Sequence, residues 1–408
     1  MTAIALLNSE NDPHVVADTL LSADGADPNK DKSIWLPALG YIHSEWENED
    51  GKWHIPRLGR KTFAVPVSSG ILAFAGHCQS AFNFWDELST HFYSRQFYDP
   101  NYSITKDSVE NILNNNKNSQ RFSLLGMVKN DAGELLPLIH KSDEIIETKN
   151  YGICYVAGSG SDLLKEMILA KDKSIFNHNK AAKTSLTEDL AEHISAAMLY
   201  RESDISNGLV KGTPIDCYCG GFYEWYGIKR KGTKILQPRA DMSILLTSNG
   251  ITITRLHFSE QHISQLSANA SVLSHKYPIF VFNLVSEFIN ISYASLLNEK
   301  FSLLIHEVYG VLIDSTFSGY EGRSDYHPRL SGPIRGEDAE KIFGSSVEIK
   351  RMRLFINTGN NSSSIGFVNP VMADFYIKIQ YIDGRFIIDI DDEIKACILK
   401  KALSADFI

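Results

Sequence analysis

A threonine at position 2 can become the first residue if Met1 is removed, and one amino acid then carries both a hydroxyl and a free amine. That pairing supplies a nucleophile and its base, an established way of activating threonine. An ordinary α-amine, with a pKa of about 7.8, is partly neutral at pH 7, so it can accept the hydroxyl proton. Two apolar runs, Ala3–Leu7 and Val15–Ala17, flank a polar turn from Asn8 to His14. They read as a hairpin that folds Asp18 back beside Thr2. Elsewhere, Cys217 and Cys219 form a C-x-C with no second ligand pair, which is weak for zinc.

These groups need a scaffold, and the order of elements gives one. Trp35 to Ile42 reads as extended, and the acidic stretch from Glu45 to Lys52 reads as a hairpin tip closed by Asp50-Gly51. Lys61 to Val67 is a strand, and Gly70 to Gly76 is a short buried strand. Phe82, Trp85 and Leu88 lie at helical spacing over Gln79 to Leu88. The Asn-rich stretch from Asp99 to Gln120 reads as a polar loop. Hairpin strands follow at 122–128 and 134–139, then a strand from Tyr151 to Gly158 and a helix from Asp162 to Ala170. Ser185-Leu186-Thr187-Glu188 is a capping box that opens an amphipathic helix to about Tyr200. Ile215 to Trp225 is a strand interrupted by Gly220-Gly221. Beyond Pro238 a hairpin turns at Asn249-Gly250, a helix is expected over Ser259 to Ser274, and Phe280 to Leu312 is one long apolar stretch. Asp314 to Gly336 reads as a loop, strands follow around Asp383-Gly384, and a helix closes the chain from Asp391 to Leu403.

With 408 residues, 43% hydrophobic and 22% charged, the chain can build a sizeable core and suggests two domains, 1–238 and 239–408. A net charge of −9 argues against sequence-independent phosphate binding, so no nucleic-acid partner is expected. No apolar run of membrane-spanning length occurs, and the N-terminus lacks the pattern of a secretory leader. Five cysteines without regular spacing suit a reducing compartment, and the expected location is the cytoplasm. No cofactor or metal is expected.

Residues 2–226 resemble the proteasome-type N-terminal nucleophile (Ntn) hydrolases. In that family an Asp follows the mature Thr by sixteen positions, as Asp18 follows Thr2 here in a Val15-Val16-Ala17-Asp18 context. A strand lysine precedes an Ala-Gly-Gly; here Lys61 precedes Phe74-Ala75-Gly76, with His77 in place of the second glycine. Gly158-Ser159-Gly160-Ser161 reproduces the family's Gly-Ser-Gly-Ser. Asp216-Cys217-Tyr218-Cys219-Gly220-Gly221 follows its Asp-x-x-Ser-Gly-Gly, with Cys219 at the serine.

The resemblance implies an α+β fold, a four-layer αββα Ntn-hydrolase sandwich, here followed by a C-terminal α+β extension of unknown role. It implies that Thr2 is the nucleophile, Lys61 a cation beside its hydroxyl, and Asp18 the acid that holds Lys61. The Gly76 N–H would face the oxyanion, and Ser159, Asp216 and Cys219 would orient the amine. The implied activity is a threonine endopeptidase working through an acyl-enzyme on a polypeptide substrate. The alternatives are a related small-amide amidohydrolase and a catalytically silent binding or assembly subunit. Assembly into a homo-oligomer, and a separate ATPase or unfoldase as partner, are implied in the same way.

Overall fold

The computed structural model describes residues 2–48, 51–65, 70–174, 185–203, 215–229, 232–233, 239–261, 279–285, 287–298, 301–314, 331–359, 362–368 and 375–405. Met1, and most of the helix expected over 259–274, lie outside the described residues.

The first two strands, Ile4–Leu7 (β1) and His14–Asp18 (β2), form the expected hairpin. Ile4 stands opposite Ala17 and Leu7 opposite His14, and Asn8 takes a positive φ in the turn. The segment before Lys61 is built of short strands, among them the expected extended stretch and hairpin. Leu20–Asp24 (β3), Ser33–Leu36 (β4), Gly40–His43 (β5), Glu45–Asn48 (β6) and Gly51–Leu58 (β7) make two small sheets of their own.

Thr62–Val65 (β8) and Gly70–Gly76 (β9) then pair antiparallel, and β9 leads directly into the helix Cys78–Tyr98 (α1). The Asn-rich stretch read as a loop contains a ten-residue helix, Lys106–Asn115 (α2). Thr105 caps it, and Val109, Ile112 and Leu113 bury one face, a 3–4 spacing that the surrounding asparagines obscure. Next come Phe122–Lys129 (β10), Leu135–His140 (β11), Glu144–Glu147 (β12), Ile153–Ala157 (β13), the helices Ser161–Lys173 (α3) and Leu186–Ser203 (α4), and Tyr223–Lys229 (β14).

A six-stranded sheet takes the order β12-β13-β1-β2-β14, followed by the short strand Gly232–Thr233. A four-stranded sheet takes the order β11-β10-β9-β8. Strand β9 is buried on both faces, which explains its continuous apolar run. Ile71, Ala73 and Ala75 share a core with β1, β2, α3 and α4, while Leu72 and Phe74 pack with Phe84 of α1 and Val109 of α2.

The expected four-layer αββα sandwich with an α+β extension does not describe this chain. The described residues are mostly strand, spread over six separate and almost wholly antiparallel sheets. The largest has eight strands and lies beyond residue 238; a further four-stranded sheet packs with it. The stretch from Phe280 to Leu312 is the physical reason. Its Val, Ile, Phe and Tyr residues favour pleated pairing, and it is cut into strands at 279–285, 289–292, 302–305 and 308–313. A strand at 362–368 pairs antiparallel with 351–357, which itself lies parallel to 239–247.

Helix α4 is the seam between the two halves. Arg351 bonds Glu188 and Glu192, each at 2.7 Å, and Arg353 reaches Asp189 at 2.7 Å and Glu192 at 3.3 Å. Burial pushes the Glu192 carboxyl up, but the Arg351 and Arg353 guanidinium groups outweigh it and hold the acid below its ordinary value. Arg239 adds a bond to Ser195 at 2.6 Å, and Tyr200 accepts from Asn357 at 2.9 Å. Among the described residues no helix is long and apolar enough to cross a membrane.

Removing one partner from a buried ion network leaves the others uncompensated. Arg351→Ala is therefore expected to destabilise the protein by roughly 3–5 kcal/mol, read as a lower guanidinium midpoint at fixed pH.

Candidate active site

Thr2 enters the six-stranded sheet at the start of β1, and its backbone is held on both sides. Its carbonyl accepts the Gly160 N–H at 3.1 Å, and its own N–H donates to Ser159 Oγ at 3.1 Å. Asp18 closes the hairpin opposite. The Ala3 N–H donates to Asp18 Oδ1 at 3.0 Å, and the Asp18 N–H donates to the Ala3 carbonyl at 3.0 Å. Strand pairing thus carries the acid to the threonine, as the hairpin reading required.

Lys61 arrives from the other sheet, one residue before β8. Its Nζ donates to Asp18 Oδ1 at 2.8 Å and to the Leu20 carbonyl at 2.5 Å. Asp18 Oδ2 accepts the Gly220 N–H at 3.0 Å. Thr2 and Lys61 are each 1% exposed and Asp18 is fully buried. A buried charge pair persists only when geometry is good and the remaining lone pairs are satisfied. Here two backbone N–H groups and an ammonium serve one carboxylate.

Ser159 is exposed, and its hydroxyl donates to the Cys217 carbonyl. A hydroxyl has a single proton, so towards Thr2 the Ser159 oxygen can only accept. The bond therefore fixes one N–H of the Thr2 nitrogen on Ser159.

The flanking glycines are close-approach devices. Gly158 has φ +95°, and a Cβ there would sit 2.1 Å from the Thr2 carbonyl oxygen and 3.3 Å from Ala75 Cβ. A Cβ on Gly160 would meet Ala3 Cβ and Cys219 Sγ, each at 2.7 Å. The same packing brings the end of β9 alongside Thr2. Gly76, at φ +97°, is exposed there, just ahead of the α1 cap at His77.

Asp216 stands exposed on the 3-10 turn Ile215–Cys217, whose Cys217 carbonyl accepts the Ser159 hydroxyl. Cys219 is fully buried, and its Sγ accepts the Tyr223 hydroxyl at 3.6 Å. Burial, with Asp18 close by, pushes the Cys219 thiol well up, so it stays neutral. Among the described residues no group of three or more His, Cys, Asp or Glu is placed to hold a metal.

Sequence reasoning missed the groups that hold Lys61. Arg60 Nε pairs with Glu224 Oε2 at 2.9 Å, the Thr62 N–H donates to Glu224 Oε1 at 3.3 Å, and Tyr226 bonds both Arg60 and Glu224. Lys61 is thus anchored on both sides by one fully buried carboxylate of β14. A lone acid within Phe222-Tyr223-Glu224-Trp225-Tyr226 was the available signal. The Leu20 carbonyl and the Gly220 N–H are backbone groups, for which residue type carries no signal.

The arrangement joins a hydroxyl residue, a fixed nitrogen, a buried ammonium and its carboxylate. Gly158→Ala tests the close approach. The added methyl displaces the Thr2 carbonyl, so thermal stability is expected to fall by roughly 1–3 kcal/mol, the range of core overpacking, with the loss read by calorimetry. No protein-family model matches this chain, and no curated protein matches it.

Proposed function

We propose that the chain is a threonine-type peptidase that uses Thr2 as nucleophile once Met1 has been removed. The observation that carries this reading is the Lys61–Asp18 pair, buried beside a Thr2 whose nitrogen already rests on Ser159. Function is argued from a site rather than from an architecture, and the resemblance in motif spacing to the proteasome-type Ntn hydrolases supports the same roles.

Removal of Met1 turns the peptide nitrogen of Thr2 into an amine. With one N–H on Ser159, the lone pair of the neutral amine is available to the Thr2 hydroxyl. The hydroxyl oxygen attacks the substrate carbonyl as its proton passes to the amine. The carbonyl oxygen becomes an oxyanion, for which the Gly76 N–H is the donor, a contribution of about 10²–10³ in rate. The ammonium then protonates the leaving amine as the C–N bond breaks, leaving an ester on Thr2. Water attacks the ester, gives its proton to the amine, and releases the acid with the hydroxyl restored. Lys61 bonds Asp18 and Leu20 with two of its three N–H groups, and the third is the one we assign to the Thr2 hydroxyl. It is the group that lowers the cost of forming alkoxide character on Thr2, while Asp18 fixes its position.

The near-complete burial of Thr2 favours, as a second reading, hydrolysis of a small amide by the same steps. A polypeptide substrate, a homo-oligomeric assembly and a separate ATPase partner rest on the family resemblance, and a cytoplasmic location rests on the cysteine usage and the N-terminal pattern.

Intact-mass analysis is expected to show a chain lacking Met1; a retained methionine overturns the mechanism. Thr2→Ala is expected to lower turnover of a fluorogenic peptide by about 10⁴-fold or more, the scale of losing a nucleophile, while the variant still unfolds in one cooperative transition. The base must be neutral, so kcat/KM should rise with pH through the range of an α-amine, about 7.8. No rise between about pH 5 and 7, below the alkaline limb, would exclude the amine as base.

A further inference from the structure

Against the Gly220–Gly221 turn lies a second buried acid. Glu202, in the last turn of α4, is fully buried. Its Oε2 accepts the Gly221 N–H at 2.9 Å, and its Oε1 has no hydrogen-bond partner among the described residues. The fit is tight, because a Cβ on Gly220 would stand 2.5 Å from Glu202 Oε2. The Gly220 N–H meanwhile donates to Asp18 Oδ2 at 3.0 Å. Two consecutive peptide N–H groups thus serve two buried carboxyl groups.

The two acids are not equivalent. Asp18 faces the Lys61 ammonium and two N–H donors. Glu202 bonds one N–H and no cation among the described residues; its titratable neighbours are Asp18 on β2 and Tyr223 on β14. Two carboxyl groups this close, with one cation on one of them, divide the charge accordingly. Asp18 stays ionised and Glu202 keeps its proton.

We propose that Glu202 is a positioning residue of the Thr2 site: as a neutral acid it fixes the Gly220–Gly221 turn, and so the N–H that holds Asp18 against Lys61. Burial, with Asp18 adding to it, pushes its carboxyl up to about 8. Above that pH Glu202 releases its proton to solvent and places a second negative charge behind Asp18. The sign for stability follows. An acid whose folded pKa is raised contributes stability that is lost as pH rises from its ordinary range through the folded value. Glu202→Gln, which keeps a neutral acceptor, should therefore unfold at a higher temperature than wild type at pH 8 to 9 and at a similar temperature at pH 4.

The kinetic consequence rests on the hydrolytic reading, so the experiment has two arms on the full chain. In the first, hydrogen exchange at Gly220 and Gly221, referred to exposed amides, is followed from pH 6 to 9. Wild type should lose protection above about pH 8, Glu202→Gln should keep it, and Glu202→Ala should lack it throughout. In the second, turnover of wild type should fall on the alkaline side and that of Glu202→Gln should not. Glu202→Ala should turn over about tenfold more slowly than Glu202→Gln, the scale of a misplaced catalytic group. Equal pH dependence of protection in wild type and Glu202→Gln overturns the proposal, as does Glu202→Ala matching wild type in both arms. If Glu202→Ala fails to fold, the comparison of wild type with Glu202→Gln still decides. Absence of all turnover in wild type counts against the hydrolytic reading alone, because the exchange arm is independent of it.

Discussion

The structure turns on one ion pair that has been taken out of water. Moving an ammonium and a carboxylate into a core costs several kcal/mol per ion after relaxation, and attraction between them offsets this only in tight, fully bonded geometry. The Lys61–Asp18 pair meets that requirement with groups from five places: β2, the residue before β8, the N-terminus, the Leu20 carbonyl and the Gly220 turn. Asp18 and Leu20 lie two residues apart, at the end of β2 and the start of β3, and the other groups come from separate parts of the chain. The pair can exist only when both sheets are assembled, which makes it a register pin.

Several features of the surrounding chain follow from that demand. Backbone must approach backbone where Thr2 passes the 158–161 turn, and only glycine leaves room. Lys61 must not swing, and Glu224 ties down the residues on either side of it. The insert between β2 and β8 is held in turn by the C-terminal half: Arg255 bonds the Ala38 carbonyl at 2.9 Å, and His257 bonds that of Pro37 at 2.7 Å. The C-terminal sheet also lends Val281, Ile313 and Phe355 to the core that surrounds β1. It therefore supports the region that carries Thr2 rather than hanging from it.

A contrast between two buried acidic clusters is instructive. On α4, Glu188, Asp189 and Glu192 face arginines and stay charged, so they lock the halves together. Two residues beyond Tyr200, Glu202 bonds a peptide N–H and faces no cation among the described residues, and burial holds it neutral. The same residue type on the same helix thus serves opposite electrostatic roles, and the partner decides which. Burial raises both carboxyls; only a guanidinium reverses the direction.

The sequence by itself determined the local matters. The apolar runs on either side of Asn8 fixed a hairpin, and with it the approach of Asp18 to the N-terminus. Ser185 to Glu188 announced the start of α4, whereas the close packing at Gly158 and Gly160 showed only in the structure. Short-range periodicity and turn chemistry are enough for these, because the interacting residues are neighbours or meet across one turn. Other elements were hidden even locally: α2 by its asparagines, and the strands after Phe280 by a continuous apolar run that suits helix or strand alike. What only the tertiary structure decided was long-range. It set the division into six sheets in place of an αββα sandwich, the anchoring of Lys61 by Glu224, and the proton on Glu202. Each depends on groups more than a hundred residues apart, or on the absence of a cation at a particular point, and a buried charge is defined by its surroundings rather than by its place in the chain.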